Sequence, residues 1–183
     1  MDTSELAKQI WPMLERGRQS RKDDFHLITL AYHTTQQQIK QDTLVLRGVD
    51  PAAHALICHT DFRSQKIPAL DLPVSIMVYH RAACLQLSFI ANTQVDHSNE
   101  LCQQRWQQSR PMSQQCYRQA NTPAEPRQGQ AAEPLPLERA FENFAVLTFK
   151  LQSVDALFLN HDGNRRWRGQ PDGNTWSLTE IWP

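Results

Sequence analysis

The chain has 183 residues, enough for one domain with a real core and cramped for two. Its 19 Lys and Arg balance 19 Asp and Glu, so no overall field draws it to nucleic acid or to an anionic membrane, and any basic site has to be local. The four cysteines, Cys58, Cys84, Cys102 and Cys116, form no CxxC pair; Cys58 and Cys84 lie in apolar, strand-like runs, which fits core thiols in a reducing compartment.

Met1-Asp2-Thr3-Ser4-Glu5 carries no basic-then-apolar signal, and no apolar run approaches a membrane span, so a cytoplasmic protein without a membrane partner is expected. Residues 2–17 read as an amphipathic helix. Asp2 and Glu5 resemble a capping box, Leu6, Ile10 and Leu14 recur four apart, Gly17 is the expected stop, and Pro12 is expected to kink or shorten it. Residues 25–32 and 43–47 are strand candidates joined by the Gln-rich segment 34–41. Gly48-Val49-Asp50-Pro51 supplies a turn before a strand over 54–60. Pro68 fits only the first turn of a helix, so a short helix is expected over 64–70.

Strands follow over 74–79 and 85–90; in the second, Leu85, Leu87 and Phe89 alternate with Gln86, Ser88 and Ile90. The period then turns helical over 96–110, with Asp96 or Ser98 as cap and Cys102, Trp106 and Arg110 four apart on one face. Trp106 beside Arg110 suits a stacked edge for a planar or anionic ligand, or equally a helix packed on a sheet with Arg110 in solvent. Residues 119–137, rich in Gln, Pro, Ala and Glu, read as a flexible loop. Two strands, 141–151 and 154–160, are expected around the turn Gln152-Ser153. Arg165-Arg166-Trp167-Arg168 then lies between two turns, before a last strand over 176–182. Short strands joined by tight turns make the chain mainly β (α+β), an antiparallel barrel or sandwich over one domain, 1–183.

The stretch with the most chemistry is His59-Thr60-Asp61-Phe62-Arg63-Ser64-Gln65-Lys66. Hydroxyls, an arginine and a lysine crowd one turn, and a helix starting there would add free amides, which is what a phosphate requires. The plainer reading is a solvated turn in which Asp61 or Ser64 caps a short helix. The seven histidines show no metal-ligand spacing, so no metal site is expected, and Walker A, GxGxxG and GxSxG motifs are absent.

The order of these signals resembles a known family. Leu44-Val45-Leu46-Arg47-Gly48, then Thr60-Asp61-Phe62-Arg63-Ser64-Gln65-Lys66, then Leu85-Gln86-Leu87, Trp106 with Ser109-Arg110-Pro111, and Arg165-Arg166-Trp167-Arg168 recur in sequence. The set is similar to the pyridoxamine 5′-phosphate oxidase-related family of FMN-binding split β-barrels, in the branch with a TDxRSxK turn, from about Phe25 onward. The resemblance implies a Greek-key barrel with flanking helices and a homodimer carrying two FMN sites across its interface. It implies that Thr60, Ser64 and Lys66, with Arg63, hold the FMN phosphate, that Arg47 lies next to the flavin or the substrate phosphate, that His59 is a further cofactor-binding position, and that Gln86 lies near the flavin ring. Trp106 and Arg110, and Arg165 and Arg168 near the carboxyl terminus, match substrate-binding positions.

The chain also departs from that pattern. Asp42 stands where the family usually has an arginine, a sign reversal that would weaken anion binding. Gln65 replaces a basic residue, His59 an aromatic and Trp106 a tyrosine, and no WPxPG-like segment follows Pro111. The expected function is an FMN-dependent oxidoreductase acting on a small molecule, with no catalytic side chain assigned, because the flavin carries hydride transfer. The alternatives are a non-catalytic flavin or tetrapyrrole binder, and a barrel that has lost its cofactor.

Overall fold

The structure is a computed structural model that describes residues 2–127, 129, 130 and 132–183. Its elements are α1 (Thr3–Gln19), β1 (Leu27–His33), β2 (Ile39–Asp50), β3 (Ala55–Asp61), β4 (Val74–His80), β5 (Leu85–His97), α2 (Glu100–Gln108), β6 (Phe144–Phe158), β7 (Arg165–Asp172) and β8 (Thr175–Ile181). Short helices at Pro111–Gln114 and Leu137–Ala140 punctuate the connection from α2 to β6. The strand order β3-β2-β1-β4-β5-β6 closes on itself through antiparallel pairing of β3 with β6. The result is a six-stranded antiparallel barrel.

β6 is the seam that makes closure possible. Its first half pairs with β3 and its second half with β7, both along the same edge. The hairpin β7–β8 therefore leaves the barrel beside Ala55, where β3 begins. Residues 141–151 and 154–160 do not form two strands as expected. β6 runs straight through, and Gln152 is absorbed as a bulge opposite Ile90 and Ala91, because an extra residue bends a long strand more readily than it breaks it. β2 is likewise longer than the expected 43–47, with a bulge between Leu46 and Gly48 in place of a turn there. A Cβ at Gly48 would lie 2.9 Å from the Ile57 side chain, so the bulge needs glycine.

Strand alternation sorts the residues between two cores. Leu30, Leu44, Leu46, Leu56, Cys58, Leu87 and Phe89 fill the barrel, whereas Ile57, Phe144 and Val146 face outward under α2 and pack on Cys102. β3 is thus apolar on both faces, which explains the unbroken run Ala55 to Cys58. Each fully buried aliphatic side chain contributes about 1.5–3 kcal/mol by leaving water. α1 lays Leu6, Ile10 and Leu14 against the same barrel core, and Trp11 stacks on Trp176 at 5.1 Å. Asp2 caps it by accepting from the Glu5 amide at 2.9 Å. Neither Pro12 nor Gly17 stops this helix. Gly17 is buried, and a Cβ there would strike Phe25 at 2.6 Å, so it is a packing glycine.

Helix α2 begins later and ends earlier than expected. Asn99, in place of Asp96 or Ser98, caps it by accepting from the Cys102 amide at 3.0 Å, and Ser109 closes it. Cys84 lies in the β4–β5 turn with φ near 48°, not in a strand. Among the described residues, no helix is long and apolar enough to cross a membrane.

Candidate functional site

Barrel alternation puts Tyr32, Asp42 and Thr60 on the inward face of β1, β2 and β3, where those strands reach one end of the barrel. Lys66 reaches in from the following turn and joins them. Its Nζ lies 2.9 Å from Ser64 Oγ, 3.3 Å from Thr60 Oγ1 and 3.1 Å from the Asp42 carboxylate. Tyr32 in turn donates to Asp42 at 3.3 Å. Lys66 is 8% exposed and Thr60 7%. An ammonium has three N–H donors, and here each has a partner. Asp42 thus occupies the position an anion would take on this lysine.

The expected helix over 64–70 is a single 3-10 turn, Ile67–Ala69, so no helix terminus aims at this point. The backbone of the turn is also committed. The amides of Phe62, Arg63 and Ser64 donate to Asn143 O, Asp61 Oδ1 and Asp61 O. Arg63 is bound in the same way: it grips Asp61 through Nε and Nη2 at 3.0 and 2.7 Å and donates to the carbonyls of Ala120 and Gln119. This arginine fastens the 119–120 segment to the turn, and is not offered to a phosphate. The donors that converge are side chains: Thr60, Ser64 and Lys66.

Three hollows follow one another along β2. One, of about 340 Å³, is lined by Asp42, Ser64 and Lys66. The next, about 410 Å³, shares Thr43 and Leu44 with it and adds Arg47, His59 and Tyr117. The third, also about 410 Å³, shares Arg47 and His59 and is lined further by Arg105 and Arg110. Arg47 donates to Ser113 Oγ at 3.4 Å. His59 lies edge-on to Phe144 at 4.8 Å and keeps a buried Nε2 with no partner. Burial, with Arg47 and Arg105 nearby, pushes its pKa down to about 3, so the ring is neutral. Burial pushes the Tyr117 hydroxyl well above its ordinary range.

Other sequence-selected residues lie elsewhere. Gln86 sits on β5, three strands from β2 in either direction around the barrel, and donates to Ser88 Oγ at 3.3 Å. Within one chain it stands on the opposite wall from Arg47. Trp106 is half-buried and packs among Tyr117, Phe141 and Phe144, with centroids 5.3 to 5.8 Å apart, against the small core under α2. Arg110 lies beyond the end of α2, so the two do not stack on one helical face. Arg165 bonds Glu180 and lies over Trp167, and Arg168 with Arg166 clamps Asp155 at 2.8 Å. Burial works to raise the Asp155 carboxyl, but those two arginines outweigh it and hold it low. Sequence reading passed over Arg18, Arg21, Arg105, Tyr32 and Tyr117. Only Arg105, next to the conspicuous Trp106, stood near a recognised signal.

No family model matches the sequence, nor does any curated protein. Solved structures of similar fold include a pyridoxamine 5′-phosphate oxidase-related, FMN-binding protein from Nostoc punctiforme PCC 73102, at 22% identity and a TM-score of 0.77 with both chains covered in full. PhzG from Burkholderia lata 383, in complex with tetrahydrophenazine-1-carboxylic acid, is 18% identical with a TM-score of 0.71, over 100% of this chain and 93% of that one. A heme binding protein from Mycobacterium smegmatis is 13% identical with a TM-score of 0.53, over 88% of this chain and 59% of that one. Closure of six antiparallel strands with a hairpin leaving at β6, together with these likenesses, gives the chain the split-barrel fold of the pyridoxamine 5′-phosphate oxidase-related proteins.

Proposed function

We propose that this protein binds FMN and serves as an FMN-dependent oxidoreductase on a small anionic substrate. The observation that carries the reading is the convergence of Thr60, Ser64 and the buried Lys66 at the mouth of the barrel. In donor type and spacing they suit a phosphate. In charge they suit it only once Asp42 gives way, and Asp42, whose side chain is 35% exposed, has water to swing into. Thr60, Ser64 and Lys66 would hold the phosphate, while Arg47 and the neutral His59 line the adjoining hollow. Bound flavin would supply hydride or electron transfer. The chain's own residues orient, bind and exclude water.

Gln86, on the opposite wall of the barrel, reaches such a site only from a second copy of the chain. The reading therefore includes a homodimer with the site between subunits. A second reading, a split barrel that has given up its flavin, is favoured by one observation, the Asp42 carboxylate already on Lys66.

The test is the colour and mass of the purified protein. Flavin absorption, FMN release on denaturation, bleaching by a reducing substrate and a dimer by light scattering are expected. A colourless protein that also fails to take up added FMN supports the second reading.

A further inference from the structure

The inward row of β2 does not end at the Lys66 site. Leu46, Leu44 and Asp42 alternate along it, and Lys40, opposite Tyr32, comes next, about 7 Å further out at the usual strand rise. There a hollow of about 300 Å³ lies between the β1–β2 hairpin and the turn after Lys66. Its lining includes Thr34, Thr35, Gln36, Gln38, Lys40 and Gln65. It shares Tyr32, Lys40 and Gln65 with the Lys66 hollow, and no residue with the hollows around Arg47. A ligand with a phosphate on Lys66 therefore has two ways to run, along β2 toward Arg47 and outward to the hairpin.

The outer hollow has its own chemistry. Lys40 is its one charged lining residue, and among the described residues Lys40 forms no ion pair. Apart from Pro68, the other lining residues carry hydroxyls or amides. The hairpin that bears them is fixed by its own backbone. Thr34 N donates to Gln38 O at 2.7 Å, and Thr34 Oγ1 accepts from the amides of Gln36 and Gln38 at 3.3 and 3.1 Å. The side chains of Gln36, Gln38 and Gln65 stay exposed. A glutamine amide both donates and accepts, and it matches the N6 and N7 edge of adenine, while hydroxyls suit ribose. A lone ammonium one step beyond a phosphate position suits a second phosphate. Lys66, Lys40 and Gln38, taken outward, thus follow the order phosphate, phosphate, nucleoside.

We infer that this hollow receives the adenosine half of a flavin dinucleotide, so that the barrel mouth accepts FAD, with its second phosphate on Lys40 and its adenosine among Gln36, Gln38 and Gln65. A volume of about 300 Å³ lies at the small end of ligand pockets and suits one nucleoside. The inference rests on the reading of Lys66 as the anchor of the flavin phosphate. It also gives a use to Gln65, an amide where a basic residue was expected, at the border of the two hollows.

Calorimetric titration of the full-length protein with FMN, FAD and ADP tests it, beside a double variant, Gln36→Ala with Gln38→Ala, in which only exposed side chains change. FAD should bind at least about tenfold tighter than FMN, the equivalent of one or two added hydrogen bonds. The double variant should lose that gain and bind FMN unchanged, and Lys40→Gln should weaken FAD more than FMN. ADP, which carries the nucleoside and both phosphates, should bind, compete with FAD and weaken about tenfold in the double variant. FAD no tighter than FMN, or a gain that survives in the double variant, overturns the inference and leaves the FMN reading standing. ADP binding that depends on Gln36 and Gln38, with neither flavin bound, overturns the flavin reading and leaves the nucleoside hollow standing. Failure of all three ligands to bind overturns both.

Discussion

Replacing Asp42 with Asn tests the charge conflict at the mouth of the barrel. Asp42 lies 3.1 Å from Lys66 Nζ, with side-chain exposures of 35% and 10%. A phosphate on the same ammonium comes within about 4 Å of that carboxylate, where two unit charges repel by about 1 kcal/mol in bulk water and about 4 kcal/mol at an effective dielectric near 20. A third-exposed carboxylate that can turn away falls between these limits. Asp42→Asn should therefore tighten FMN by roughly tenfold to several hundredfold, at about 1.4 kcal/mol per decade. Riboflavin, which lacks the phosphate, should bind the two proteins alike. Without ligand the variant should melt lower, because Lys66 loses its counter-ion while keeping Thr60 and Ser64. Flavin fluorescence quenching measures both affinities. Equal shifts for FMN and riboflavin, or weaker FMN binding by Asp42→Asn, would refute the reasoning.

Further outcomes follow from other residues. Lys66→Ala should weaken FMN far more than it lowers Tm, and equal effects on both would mark Lys66 as structural. Trp106→Ala should cost about 3 kcal/mol in denaturant unfolding, whereas Trp106→Phe should keep most of that stability; an unchanged Tm in the alanine variant would contradict its packing against the small core under α2. His59 has its pKa depressed to about 3, so its contribution is complete above the unfolded value near 6.5. It is lost as pH falls below that, at up to about 1.4 kcal/mol per unit. Unfolding measured from pH 7 to 5 should show this slope, reduced in His59→Gln; an unchanged slope would refute it. Burial pushes the Cys58 thiol up to about 12, so a thiol reagent at pH 8 should modify exposed Cys116 and spare Cys58 until the protein unfolds.

The barrel was legible because alternation over 85–90 is plain in the residues and short apolar runs are separated by turns, and the turn at Asp172-Gly173-Asn174 marks the β7–β8 hairpin. The bulges at Gln152 and Leu46–Gly48 were not, since a polar residue in a long strand has the same composition as a turn. The turn at Thr60 to Lys66 was visible as a set of phosphate-type donors, and the odd sign of Asp42 was visible as well. That the two meet on one ammonium depends on Tyr32, Asp42 and Thr60 ending three inward-facing rows at one rim, which closure decides. Arg63 looked like a phosphate ligand and proved to be a clasp, because its partners at 119 and 120 are distant in sequence. Arg18, Arg21 and Arg105, which line one hollow with Arg47 and Arg110, were hidden for the same reason, since they lie far apart in sequence with no local pattern.

The claim on which the account rests is that Thr60, Ser64 and Lys66 hold a flavin phosphate. A crystal structure of the protein with FMN tests it most directly. The account predicts the phosphate within hydrogen-bond distance of Lys66 Nζ and both hydroxyls, with Asp42 turned into solvent. An intact Asp42–Lys66 pair, with FMN absent or bound elsewhere, would contradict it.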